Sequence, residues 1–204
     1  MRVSEIERKT NETSIFIKLN IDGNGTAKLD YPIGFMSHML NTFARHGLFD
    51  IEICAKGDLE VDQHHLVEDT GIVLGQCFAK AIGDKRGIKR CGSCLFPMDE
   101  TLARAAVDVS WRPFLFFEGE LSNVPLISED NNSQYKFQTD TIEDFWQGFA
   151  SALGCNLHLE ILRGRSDHHK IEALFKAAAR SLRDALEHDK RALDFITSTK
   201  GVLA

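Results

Sequence analysis

No uninterrupted apolar run in these 204 residues approaches the roughly 18–20 that a membrane span requires, so a helical membrane protein is excluded. The opening MRVSEIERKTNET lacks the basic-then-apolar order of a signal peptide, and the expected location is the cytoplasm. Positive charge is in short supply. Twenty-four Lys and Arg against 30 Asp and Glu leave a net charge of −6, which argues against a nucleic-acid backbone as partner, because that affinity rests on clustered cations. Cysteine is sparse and unpatterned: Cys54, Cys77, Cys91, Cys94 and Cys155 are an odd set. Cys91 and Cys94 have the spacing of half a zinc site, but no second such pair exists, and reduced thiols are expected.

What remains is an ordinary globular composition, 43% apolar and 26% charged, long enough for one domain or two small halves sharing a core. Eight histidines are a mild excess, and their arrangement matters more than their number.

Residues 13–21 alternate apolar and polar as a half-buried strand does, and Asp22-Gly23-Asn24-Gly25 reads as a tight turn. Met39, Leu40 and Phe43 fall at helical spacing between His38 and His46, with Gly47 where a cap would sit. Leu48 to Ile53 is strand-like, and Lys56-Gly57-Asp58 turns the chain. Leu66 to Ile82 is apolar nearly all round and must be buried on most sides. Ser128 to Ser133 is the best candidate for a loose loop. Beyond it come a helical stretch, Asp144 to Leu153, a strand-like Leu157 to Ile161, and a turn at Gly164. The last helix carries a clear apolar stripe of Ile171, Leu174, Ala178, Leu182 and Ala185.

The two halves repeat. His38…His64-His65-x-x-Glu68 parallels Asp144…His168-His169-x-x-Glu172, with separations of 26 and 24 residues between the lone residue and the first histidine of each pair. Such a duplication predicts a pseudo-two-fold α+β fold, two half-repeats of about 1–95 and 96–204, with helices on one face of mixed sheets.

On a helix, residues i and i+4 lie one above the other while i and i+1 diverge by about 100°. His64 and Glu68 can therefore grip one ion together, as can His168 and Glu172. His65 and His169 must point elsewhere, towards a second metal centre or a neighbouring subunit. Imidazole with carboxylate suits Mn, Fe, Co, Ni or Zn, and two carboxylates without cysteine lean towards Mn or Fe. His168, Glu172, Lys176 and Arg180 also form a polar ridge. It is either a solvated face, with a Glu172–Lys176 pair worth about 0.3–0.5 kcal/mol, or a site floor that carries metal ligands and then a phosphate-binding lysine.

The sequence resembles the imidazoleglycerol-phosphate dehydratases of histidine biosynthesis along nearly its whole length. The resemblance runs through Arg8-x-Thr10-x-Glu12-Thr13, Gly34-Phe35-x-x-His38-Met39-Leu40 and Arg45-His46-Gly47-Leu48-Phe49-Asp50. It continues through Gly57-Asp58-Leu59-x-x-Asp62-x-His64-His65-x-x-Glu68-Asp69, Gly87-Ile88-Lys89-Arg90, Pro97-Met98-Asp99-Glu100 and Asp108-x-Ser110-x-Arg112-Pro113. His168-His169-x-x-Glu172-Ala173-x-Phe175-Lys176 and Ser198-Thr199-Lys200-Gly201 complete it.

The resemblance implies a fold of two similar half-repeats, each a small sheet with helices on one face, like domain 2 of ribosomal protein S5. It implies self-association of trimers into a 24-mer, with two Mn²⁺ per active site at subunit interfaces. By resemblance the metal ligands are His38, His64, His65, Glu68, His168, His169 and Glu172, with Asp144 where the family has a histidine. Ser37 stands where an aspartate is usual, and Trp111 where glycine is common. Glu12, His46 and Glu172 match catalytic positions; Arg90, Arg112, Lys176, Ser198 and Lys200 match those that hold the phosphate, with Glu12 also against the substrate. The implied reaction is dehydration of D-erythro-imidazole-glycerol phosphate to imidazole-acetol phosphate through a metal-stabilised imidazolate. A binuclear hydrolase of phosphate esters, or a non-catalytic metal-binding scaffold, would use the same histidine–carboxylate clusters.

Overall fold

The computed structural model describes residues 2–122, 124–126 and 136–201; Ser128 to Ser133, read above as a loose loop, lies outside them. Strands β1 (Val3–Lys9), β2 (Thr13–Asn20) and β3 (Ala27–Asp30) lead into α1 (Gly34–Gly47), β4 (Asp50–Gly57) and α2 (His64–Ile82). The same succession then repeats as β5 (Cys91–Met98), β6 (Thr101–Asp108), β7 (Phe114–Glu118), α3 (Thr141–Leu153), β8 (Asn156–Arg163) and α4 (Asp167–Leu186). The spatial order repeats too, β1-β2-β4-β3 and β5-β6-β8-β7, with the final pair parallel in both sheets. This is the expected α+β architecture of two similar halves.

Alternation decides which face of each sheet is buried. On β2, Thr13, Ile15, Ile17 and Leu19 point inward, and Ile15, Ile17 and Leu19 lie opposite Ala55, Ile53 and Ile51 of β4. The inner faces receive the helices, and the helices of one half pack on those of the other, α2 against α3 and α1 against α4. The order is therefore sheet, helices, helices, sheet. A layer enclosed in this way explains why α2 is apolar nearly all round.

Glycine sets the closeness of the central crossing. A Cβ at Gly71 of α2 would lie 2.1 Å from the Phe145 carbonyl oxygen, and one at Gly148 of α3 would lie 2.9 Å from that of Glu68. The first turns of α2 and α3 are thereby brought together, and those turns carry the repeated polar residues. The cap expected at Gly47 falls one residue later. Leu48 takes the left-handed conformation (φ 57°), and Phe49 N–H closes onto the Ala44 carbonyl at 3.0 Å. Gly47 is small for a different reason, since a Cβ there would lie 2.2 Å from the Phe49 ring.

Candidate functional site

Helix starts place the histidine pairs. Ser166 caps α4 by accepting the His169 N–H, while on α2 the Asp62 carboxylate accepts that of His64 at 2.8 Å. Each pair thus sits in a first turn, one ring directed inwards and the next turned aside, as the helical geometry requires.

The inward rings meet the opposite half. His168 Nε2 lies 3.1 Å from Glu172 Oε2, and His38 Nε2, arriving from α1, lies 3.4 Å from the same oxygen. One ligand atom from each of these three residues falls within 4.8 Å of the others. Glu172 is buried, and its second oxygen takes the Lys176 ammonium at 2.8 Å. The His168 contact, then the His38 contact, with Lys176 adding, hold the Glu172 carboxyl well below the usual carboxylate range despite its burial.

The equivalent cluster is arranged differently. His64 presents Nε2 to Glu68 at 3.6 Å and the other ring nitrogen, Nδ1, to Asp144 at 3.3 Å. The imidazole stands between the two carboxylates, whereas in the first cluster two imidazoles converge on one carboxylate.

The outward rings are held with matching chemistry. His65 Nδ1 lies 3.0 Å from Asp58, and its Nε2 faces Glu12 at 4.0 Å. His169 Nδ1 lies 2.8 Å from Glu100, and its Nε2 faces Asp99 at 3.9 Å. A carboxylate on Nδ1 fixes the tautomer and presents Nε2 as a donor atom for a metal. Asp58 accordingly raises the affinity of His65 for a proton. Glu100 is pulled well below the usual carboxylate range, first by the Ser166 backbone N–H and then by His169. Asp58 and Glu100 were not singled out by sequence reasoning. Both stand within the motifs that carry the resemblance, and each lies in or beside a turn that faces a histidine pair.

Glu12 sits in the turn between β1 and β2. Its carbonyl accepts the Asp58 N–H at 3.0 Å, and Arg8 and Thr13 both bind Asp69 of α2, which pins that turn over the start of the helix. His46 is on the far end of α1, its ring edge-on to Phe96. Burial, then Lys176 and Arg180, disfavour its charged form.

The cationic residues do not form one group. Lys176 belongs to the cluster around Glu172. Arg90 instead makes a two-pronged contact with Asp108 at 2.7 and 2.8 Å and donates to the Thr197 carbonyl at 2.6 Å, which sets it beside the Ser198–Lys200 segment. Arg112 reaches the same Asp108 at 3.9 Å. The Arg90 N–H binds the carbonyl of Ala185, thirteen residues along α4 from Glu172. At the helical rise that separation is about 20 Å.

The residues fit a transition-metal ion. Three nitrogen and oxygen donors converge, two imidazoles and a carboxylate, which is a donor set such an ion takes.

A model of the imidazoleglycerol-phosphate dehydratase family matches residues 32–182. An imidazoleglycerol-phosphate dehydratase of Caldanaerobacter subterraneus is 50% identical over 203 residues and one of Thermoanaerobacter pseudethanolicus 51%, with the whole of each chain covered. The crystal structure of the enzyme from Staphylococcus aureus superposes with a TM-score of 0.77 at 34% identity, covering 92% of this chain and 99% of that one. The Pyrococcus furiosus structure gives 0.80 at 29%, covering 97% and 100%.

Proposed function

The chain belongs to the imidazoleglycerol-phosphate dehydratase family, a hydro-lyase of histidine biosynthesis, and from that premise we propose that it works as a Mn²⁺-dependent enzyme whose sites are completed between copies. The observation that carries this reading is the pairing of inward clusters with outward, carboxylate-held histidines. His38, His168 and Glu172 would hold one ion, and His64, Glu68 and Asp144 the second. Three ligands leave open positions on an ion that prefers six. Histidines 65 and 169 diverge from those clusters, so their Nε2 atoms would serve the clusters of neighbouring copies. The phosphate-holding residues give a second argument for assembly. The Arg90 backbone is bonded to α4 about 20 Å along the helix from Glu172, and Arg112 approaches the same Asp108 as Arg90; a three-carbon phosphate ester would not bridge that separation, so ring and phosphate would be held by different chains. A 24-subunit assembly of trimers is the arrangement we propose, in the cytoplasm; no helix of the described residues is long and apolar enough to cross a membrane.

When bound, the two Mn²⁺ ions would stabilise negative charge on the imidazole ring and hold it in place. Arg90 and Arg112 would orient the phosphate through directed N–H donors, supported by Ser198, Lys200 and, from another copy, Lys176. That grip fixes the reacting carbons against the general base. Glu12 would remove the proton from the carbon beside the one that loses hydroxide, and the enol so formed becomes the ketone. Its position next to His65, in a turn pinned by Asp69 and the Asp58 N–H, suits that role. His46, whose charged form is disfavoured by burial and then by Lys176, would shuttle a proton in this reading.

An anaerobic Mn²⁺ titration with imidazoleglycerol phosphate, following ketone formation, tests the proposal. Activity is expected to track metal loading in the wild type and to be absent in His64→Ala and His168→Ala. Turnover by fully metal-depleted protein would overturn it.

A further inference from the structure

The connection between α2 and β5 meets the turn after β6 at a buried cation. Lys85 is 1% exposed, and its ammonium has no hydrogen-bond partner among the described residues. It sits 3.6 Å from the centre of the Trp111 ring. An ammonium withdrawn from water without a hydrogen bond is costly. The indole face offsets part of that cost, because the ring quadrupole attracts a cation. Burial pulls the amine down to about 8, with Arg90 adding in the same direction and Asp108 favouring the cation.

Backbone conformation marks the same place. Lys85 (φ 62°), Arg90 (φ 73°) and Trp111 (φ 63°) are three of the five non-glycine residues in the left-handed region among the described residues. A bulky residue there is an outlier, and such strain persists only where the surroundings enforce it. Gly154 makes room for the indole, since a Cβ there would lie 2.6 Å from Trp111 Cε3. Immediately after Trp111 comes Arg112. Its N–H reaches Ser110 Oγ at 3.3 Å, its carbonyl accepts from the Asn156 side chain, and its guanidinium approaches Asp108.

We infer that Lys85 and Trp111 form a latch that positions Arg112 for the substrate's phosphate without touching it. The inference rests on the reading of Arg90 and Arg112 as the phosphate cradle. A latch of this kind acts on the grip and not on the chemistry, so it separates KM from kcat.

The test uses the assembled, Mn²⁺-loaded enzyme with inorganic phosphate as a competing probe. In Lys85→Met, KM for the phosphorylated substrate is expected to rise about tenfold, the scale of one desolvated cation–ring contact, with kcat within about twofold. Inhibition by phosphate should weaken by the same factor, and Lys85→Arg should restore both. Trp111→Leu should reproduce the effect and Trp111→Phe half-rescue it, which covers the case in which Lys85→Met does not fold. Phosphate inhibition equal to wild type in Lys85→Met and Trp111→Leu, with Arg112→Gln weakened, overturns the latch alone. If Arg112→Gln also inhibits like wild type, the cradle reading fails and the latch with it.

Discussion

The two halves build the same scaffold but not the same ligand cluster. Around Glu172 two imidazoles from different helices converge on one buried carboxylate, and three donor atoms already lie within 4.8 Å. Around Glu68 a single imidazole stands between two half-exposed carboxylates and addresses each with a different nitrogen. The difference traces to one position in the repeat, His38 on α1 and Asp144 on α3. A histidine there adds no negative charge, and the lone carboxylate can be buried. An aspartate brings a second negative charge, and the neighbouring imidazole stands between the two carboxylates. One cluster is thus arranged in advance, and under the proposed function the other would be completed by the ion it takes.

That contrast can be broken most sharply at its buried carboxylate. Glu172→Gln removes the anion on which His38 and His168 converge, and activity should fall by more than about a hundredfold, beyond the range typical of supporting residues. Glu68→Gln should weaken Mn²⁺ binding at the less organised cluster by a smaller factor in parallel metal titrations. Next in size are the residues that hold the outward rings. Asp58→Asn and Glu100→Gln should each lower Mn²⁺ affinity about 10–100-fold. They differ in acid. The Glu100 carboxyl is depressed in the folded protein, so its contribution to stability is present above the ordinary glutamate value and lost as pH falls below about 4.5. Melting curves of metal-free wild type and Glu100→Gln should therefore begin to draw together below about pH 4.5 and go on converging as the pH is lowered further. The smallest effect, and the one that sharpens the comparison most, is expected from Asp144→His. It should make the second cluster resemble the first and tighten its ion several-fold without changing the fold; weaker binding would show that the aspartate is the better ligand there.

Much of this was legible in the sequence. Long periodic segments announced α2 and α4, and the repeated His-His-x-x-Glu required one ring of each pair to face in and the other out. The parts that were not legible depend on tertiary proximity. Strand β5 mixes Gly92, Ser93 and Cys94 with larger residues and carries a weak alternation, so only its ladder with β6 defines it. Asp58 and Glu100 look like ordinary turn acids until the fold sets them against Nδ1 of the outward histidines. The five residues proposed to hold the phosphate read as one set along the chain, yet Lys176 lies midway along α4 beside Glu172 and Arg90 is bonded near the helix's C-terminal end. Resemblance names such residues together, but not how far apart one chain sets them.

The central claim, that inward clusters and outward histidines serve the same ions from different copies, is tested most directly by mixing two inactive variants. Glu172→Ala chains and His169→Ala chains are each expected to assemble without turnover. Co-assembled, they should regain part of the wild-type activity, because a cluster intact in one chain can receive the histidine intact in the other. Mixed assemblies of normal size that stay as inactive as their parents would contradict the account.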